Sequence, residues 1–215
     1  MNELSKYDHK KAWGKINRDR LSAVMKHGGA SILDIGCASG DYVRYLNANG
    51  RQARGCDIET RAEWNGGAEF FTADADNLAL PPESVDTIIC FEVLEHLEHP
   101  AEALRAMRAI CRRNIIASVP NCAQRLALPE AGLNFNHYID RTHRNFWTPE
   151  SFAAAVADAG FKIEEVKLIN QVHPEALFFG NLLRLGPLAR AAAALFDALP
   201  WIRRDFMTTL VIASK

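Results

Sequence analysis

The stretch Ile32–Leu46, ILDIGCASGDYVRYL, decides the fold of this chain. The run Ile32-Leu33-Asp34-Ile35 reads as a short buried strand, and the turn Gly36-Cys37-Ala38-Ser39-Gly40 leads into an amphipathic helix near Asp41. A strand that turns through small residues into a helix lets backbone come close to a ligand. About 20 residues on, Gly55-Cys56-Asp57 places a carboxylate at the end of a second strand, where ribose hydroxyls are held in nucleoside-binding α/β folds. The turn is no phosphate cradle. It lacks the Gly-Lys-Ser/Thr ending of a P-loop, and its G-x-x-x-G spacing departs from G-x-G-x-x-G. Asp34, just ahead of the turn, would repel phosphate and suits a cationic amino-acid group.

The rest of the chain agrees with one α/β domain. Its 215 residues, 48% apolar and 24% charged, suit a single soluble core spanning 1–215. A net charge of −1 gives no general basic field, so nucleic acid is not the expected partner. Five cysteines, an odd number without C-x-x-C, read as small core residues of a reducing, cytoplasmic protein rather than disulfides or a zinc site. The polar start MNELSKYDHKK does not read as a signal peptide.

The pattern predicts helices over 8–27, 40–49, 101–112 and from Thr148 to Gly160. It predicts strands at 31–36, 52–57, 68–73, 85–91, 114–119, 161–169 and 206–213. Alternating strands and helices argue for a mostly parallel sheet covered on both faces. A long excursion, 171–204, separates the last two strands and is expected to be a helical insertion. It is apolar, but Arg184, Arg190 and Asp197 interrupt it, so no transmembrane segment is expected. Three roles stay open for 174–204: a cap over a substrate pocket, a homodimer contact, or peripheral membrane contact through Trp201 and Arg203-Arg204.

The turn at 34–40 resembles motif I of class I S-adenosylmethionine-dependent methyltransferases, with Ala38 standing where many members carry glycine. Three more segments support the resemblance: Phe71-Thr72-Ala73-Asp74-Ala75-Asp76 as the adenine-side loop, Ser84–Cys90 as the fourth strand, and Ala159-Gly160-Phe161 as the turn into strand 6. It covers about residues 30–170. It implies a seven-stranded, Rossmann-like sheet, mostly parallel with an antiparallel last strand. It also implies S-adenosyl-L-methionine as cofactor, with Gly36 and Gly40 under the methionine part, Asp57 on the ribose, and Asp74 and Ala75 at the adenine. By the same resemblance Asp34, Cys37, Ile58 and Glu92 line the cofactor.

A second cluster follows strand 4, in Phe91-Glu92-Val93-Leu94-Glu95-His96. If this stretch is helical, Glu92, Glu95 and His96 share one face. Two carboxylates and an imidazole at one spot suit a divalent cation, Mg2+ or Mn2+, with His143 of Asp140-Arg141-Thr142-His143 as a fourth ligand. The pattern is similar to methyltransferases that O-methylate ubiquinone precursors and to those that 2′-O-methylate small-RNA ends. The D-R-T-H run is similar to methyltransferases of bacterial polysaccharide gene clusters. Other roles stay open: Glu92 as a cofactor contact or helix cap, His96 as a backbone partner, and His143 as a plain base. The expected reaction is methyl transfer to a small-molecule hydroxyl, on a sugar or polysaccharide precursor first and a quinone-type phenol second. RNA 2′-O-methylation and a non-catalytic cofactor-binding subunit are the alternatives. The RNA reading predicts a basic patch of Arg112, Arg113, Arg141 and Arg144 beside the pocket.

Overall fold

The computed structural model describes residues 16–123, 140–172 and 205–215. Its first helix, α1 (Arg18–His27), starts later than the apolar periodicity predicts. Asn17 is extended and caps it, its side chain accepting from the Asp19 and Arg20 amides. Residues 8–15 of the predicted helix lie outside the described residues. There follow β1 (Ser31–Ile35), α2 (Asp41–Ala48), β2 (Gln52–Asp57), β3 (Phe70–Thr72), β4 (Val85–Phe91), α3 (Pro100–Ile110), β5 (Cys111–Pro120), α4 (Pro149–Asp158), β6 (Lys162–Val172) and β7 (Asp205–Ser214).

The sheet has seven strands in the order β3-β2-β1-β4-β5-β7-β6. β1 through β5 pair in parallel, and β7 runs antiparallel between β5 and β6. Two predicted strands, 52–57 and 85–91, have the observed limits. β3 is shorter than predicted. β5 begins earlier because Cys111 turns extended as soon as α3 ends, so residues 111 and 112, predicted as helix, belong to the strand. Residues 171 and 172 of the predicted insertion belong to β6. The rest of it, with the three roles considered for 174–204, lies outside the described residues. No described helix is long and apolar enough to cross a membrane.

Both faces of the sheet are covered. Leu33, Ile35, Ile88 and Ile115 pack with Leu104 and Met107 of α3 and with Phe152 and Val156 of α4. Ile32, Ile89, Ile116 and Ile212 pack with Val24 of α1 and with Val43 and Leu46 of α2. Each such side chain contributes about 1.5–3 kcal/mol by leaving water. Pro149 and a reciprocal Thr148–Ser151 capping box start α4, as the Thr-Pro-Glu-Ser sequence predicts. Sheet order reverses direction between β1 and β4, and in open α/β sheets the crevice at that point takes the ligand.

The approach of α2 to β2 depends on Gly55. A Cβ there would lie 2.7 Å from Cys37 Sγ and 2.8 Å from Val43 Cγ2. Gly55→Ala should therefore destabilise the protein by about 1–3 kcal/mol, as overpacking does. A urea midpoint equal to wild type would show that α2 can retreat without loss.

Candidate active site

The crevice is built where β1 and β4 end. Gly36 leaves β1 with φ 72, and a Cβ on it would lie 2.2 Å from Val93 Cγ2, so only hydrogen fits. The Gly36 and Cys37 amides both donate to the Cys56 carbonyl, at 2.8 and 2.9 Å, which folds the turn down onto the end of β2. Ala38 is left-handed too, with φ 46. Its amide donates to Asp57 Oδ2 at 2.9 Å, and its carbonyl accepts from Trp64 Nε1 at 2.9 Å. Gly40, φ 82, ends the turn against the Phe70 ring.

Two carboxylates face this turn. Asp57 is buried, with Arg61 Nη2 at 3.3 Å from its Oδ1. Asp34 is buried as well, and its pKa is raised, first by burial and then by the Asp57 charge. Ile58, next to Asp57, is 68% exposed, an apolar side chain left in solvent at the rim. Beyond β3, Asp74 caps a short 3-10 turn, Ala75–Asn77, by accepting from the Asp76 amide at 3.0 Å.

Glu92 follows β4 directly, one residue before the Val93 that packs on Gly36. Its φ is 56, a conformation that a glutamate rarely holds unless its surroundings impose it. The carboxylate accepts from Ser118 Oγ at 3.0 Å and pairs with Arg20 Nη2 at 2.5 Å. The Arg20 guanidinium lies over the Phe91 ring, 5.3 Å from its centroid, and its Nε is buried without a hydrogen-bond partner. This left-handed residue breaks the predicted helix: Leu94–His96 is one 3-10 turn, so Glu92 does not share a helix face with Glu95 and His96.

Glu95, His96 and His143 do converge, with one ligating atom from each within 4.8 Å of the others. The D-R-T-H run explains why. Asp140 Oδ1 accepts from the Thr142 amide at 2.9 Å and from its hydroxyl at 2.7 Å, a tight Asx turn. The Arg144 and Asn145 amides then both donate to the Glu95 carbonyl, at 2.8 and 3.0 Å. His143 is thereby set against His96, ring centroids 4.7 Å apart. Glu95 is 1% exposed and its Oε2 has no hydrogen-bond partner. Burial, then the Glu92 charge, push its carboxyl far above the usual range.

A family model described as a methyltransferase domain matches residues 7–166. The chain belongs to that family and is a class I S-adenosylmethionine-dependent methyltransferase. It is 25% identical over 175 residues to the ubiquinone biosynthesis O-methyltransferase of Xanthomonas euvesicatoria pv. vesicatoria, covering 72% of each chain. An S-adenosylmethionine-dependent methyltransferase from Archaeoglobus fulgidus superposes with a TM-score of 0.66 at 22% identity, covering 92% of each chain. The [4+2]-cyclase SpnF superposes with a TM-score of 0.60 at 18% identity, covering 92% of this chain and 80% of that one. At such identities these structures speak for the fold alone.

In this methyltransferase, Asp34 lies in β1, Gly36, Cys37 and Gly40 in the turn that follows it, Asp57 and Ile58 at the end of β2, and Glu92 directly after β4. Asp74 and Ala75 sit past β3, where Asp74 also has the turn-forming role its residue type allows. Arg20 was not among the sequence candidates. Its only trace is Asn17 just before an apolar periodic run, a helix-start signal that would have put position 20 in the first turn. The four arginines of the expected basic patch are not together: Arg112 and Arg113 lie in the first residues of β5, beside the start of β4 and not its end, where Arg112 bonds Asp86.

Ala38 holds a left-handed conformation that costs an L-residue about 1–2 kcal/mol. Ala38→Gly should raise stability by roughly 0.5–1 kcal/mol, since glycine's greater unfolded-state entropy offsets part of the relief. The urea midpoint reads this directly, and a lower midpoint would mean that the Ala38 methyl is held by packing.

Proposed function

We propose that this methyltransferase moves the methyl group of S-adenosylmethionine to a hydroxyl of a small molecule, a catechol-type phenol in the first instance. The observation that carries the proposal is the convergence of Glu95, His96 and His143 at the turn that follows β4. The curated relative named for ubiquinone biosynthesis supports a phenolic acceptor over a sugar. The dispersal of the arginines weighs against RNA. Four buried thiols suit a reducing cytoplasm.

The crevice fits the cofactor by its own geometry. The missing Cβ at Gly36 makes room for Val93 and so closes the turn on the end of β4, and the carboxylates Asp34, Asp57 and Glu92 around that turn favour a cationic ligand. Asp57 would accept from the ribose hydroxyls. Arg20, beside Glu92 and with an unpartnered Nε, would take the methionine carboxylate. Asp34, with Glu92, would balance the ammonium and sulfonium charge. A sulfonium methyl is already activated, so the protein supplies alignment and proton removal.

His143 takes the proton role, with Asp140 3.7 Å from its Nε2. The trio also fits a divalent cation: Glu95 offers a buried oxygen without a partner, and two imidazoles stand beside it. Such a cation would lower the acceptor's pKa and orient it. Two imidazoles with one carboxylate favour manganese or zinc over magnesium. Glu92, committed to Arg20 and Ser118, is a cofactor-side residue in this reading rather than a ligand.

Methyl transfer from labelled cofactor to a panel of catechols and sugars tests the acceptor. Label in a catechol is expected, and label in sugars alone would overturn the phenol. Exhaustive EDTA dialysis should abolish turnover and manganese should restore it; full activity without metal would leave His143 as a plain base. Asp57→Ala should weaken cofactor binding by about 1.5–3 kcal/mol, roughly ten- to hundredfold in Kd. Unchanged affinity would place the ribose elsewhere.

A further inference from the structure

The first turn of α1 is tied down by an unusual chain of side chains. Asn17 uses its Oδ1 to cap the helix, accepting from the Asp19 and Arg20 amides at 3.0 and 3.1 Å. Its Nδ2 remains to donate, and it reaches Asn170 Oδ1 on β6 at 2.7 Å. Asn170 Nδ2 in turn donates to Thr208 Oγ1 on β7 at 2.9 Å. The Asn17 backbone amide donates to Tyr42 Oη on α2 at 2.9 Å. One residue thus joins α1 to α2 and to the two antiparallel strands.

Two details mark this as more than a surface contact. Asn170 lies within β6 at φ 59, a left-handed conformation that asparagine tolerates better than other side chains. Tyr42 packs on Phe91, ring centroids 5.2 Å apart, and Arg20 lies over that same ring. Burial pushes the Tyr42 phenol up to about 12, so it stays neutral beside the guanidinium. The Arg20 amide is bonded by Asn17 itself, so whatever fixes Asn17 fixes the root of the Arg20 side chain.

We propose that the Asn17–Asn170 amide pair is a positioning latch that holds Arg20 over the end of β4, ready for the carboxylate of the bound cofactor. The latch rests on the reading of Arg20 as the carboxylate partner. An arginine at the start of a helix would otherwise fray with it, and ordering it would be left to the moment of binding. Asn17 and Asn170 touch no ligand in this arrangement; they act through Arg20.

A ligand without the carboxylate separates this role from mere support of the fold. Binding of S-adenosylhomocysteine and of 5′-methylthioadenosine, which lacks the amino-acid part, is measured by titration calorimetry. Asn170→Gly removes both amide bonds while suiting the left-handed backbone, and Asn17→Ser keeps a good helix cap but is too short to reach Asn170. Each should weaken S-adenosylhomocysteine about tenfold and leave 5′-methylthioadenosine within about twofold. In an Arg20→Ala background, Asn170→Gly should add nothing further. If both ligands weaken equally, or neither does, while Arg20→Ala weakens S-adenosylhomocysteine alone, the latch falls and the Arg20 reading stands. If Arg20→Ala leaves S-adenosylhomocysteine unchanged, the Arg20 reading falls and takes the latch with it.

Discussion

The ends of β1 and β4 come so close that position 36 has room only for hydrogen, because Val93 Cγ2 already occupies the space of a side chain. Much of the site follows from that contact. With Gly36 turned left-handed, the next two amides point to the end of β2, where the Cys56 carbonyl and the Asp57 carboxylate receive them. Asp57 is therefore held by the turn that it helps to hold, so its position does not depend on a ligand. On the other side, Val93 can press on Gly36 only if the chain turns sharply after Phe91. Glu92 takes that turn at φ 56. The strain at Glu92 and the bare backbone at Gly36 are two sides of one close approach.

The same approach crowds negative charge. Asp34 and Asp57 lie under the turn, and Glu92 and Glu95 lie past β4. Burial first, and then the neighbouring carboxylate, raises the pKa of Asp34 and of Glu95. Arg61 answers the crowding at Asp57 and Arg20 at Glu92, and Arg20 arrives on a helix from outside the sheet. In the proposed reading such a crevice repels phosphate and receives cationic groups, unlike a dinucleotide site, which shares the 3-2-1-4-5 part of the strand order but whose glycine-rich turn faces pyrophosphate.

Much of this was legible before any coordinates. The small-residue turn and the carboxylate about 20 residues on are local features, and local features survive in sequence. β4 was bounded correctly because its apolar run is flanked by polar residues, and β2 because its end is marked by Gly55-Cys56-Asp57. The antiparallel β7 followed from the family resemblance, which two terminal strands separated by a long excursion fit. What failed was longer in range. The period of Glu92, Glu95 and His96 suits a helix, yet packing against Gly36 forces Glu92 out of helical geometry. The role of Arg20 depends on Glu92, 72 residues away, and that of Asn17 on Asn170, 153 residues away. No spacing rule along one chain carries such pairs.

Fold alone does not decide the reaction, as the superposition on a [4+2]-cyclase makes plain. The chemistry must be sought in what this chain adds to the common sheet, and the buried Glu95 is the most demanding addition. A carboxylate 1% exposed, beside a second carboxylate, is not stable as a lone anion. It must hold a proton or lie against positive charge. His96 and His143 stand within reach. A proton shared among the three groups and a cation held by them answer the same electrostatic need. In the proposed reaction, either would let the trio take up positive charge at one point, as deprotonating a hydroxyl next to a sulfonium methyl requires.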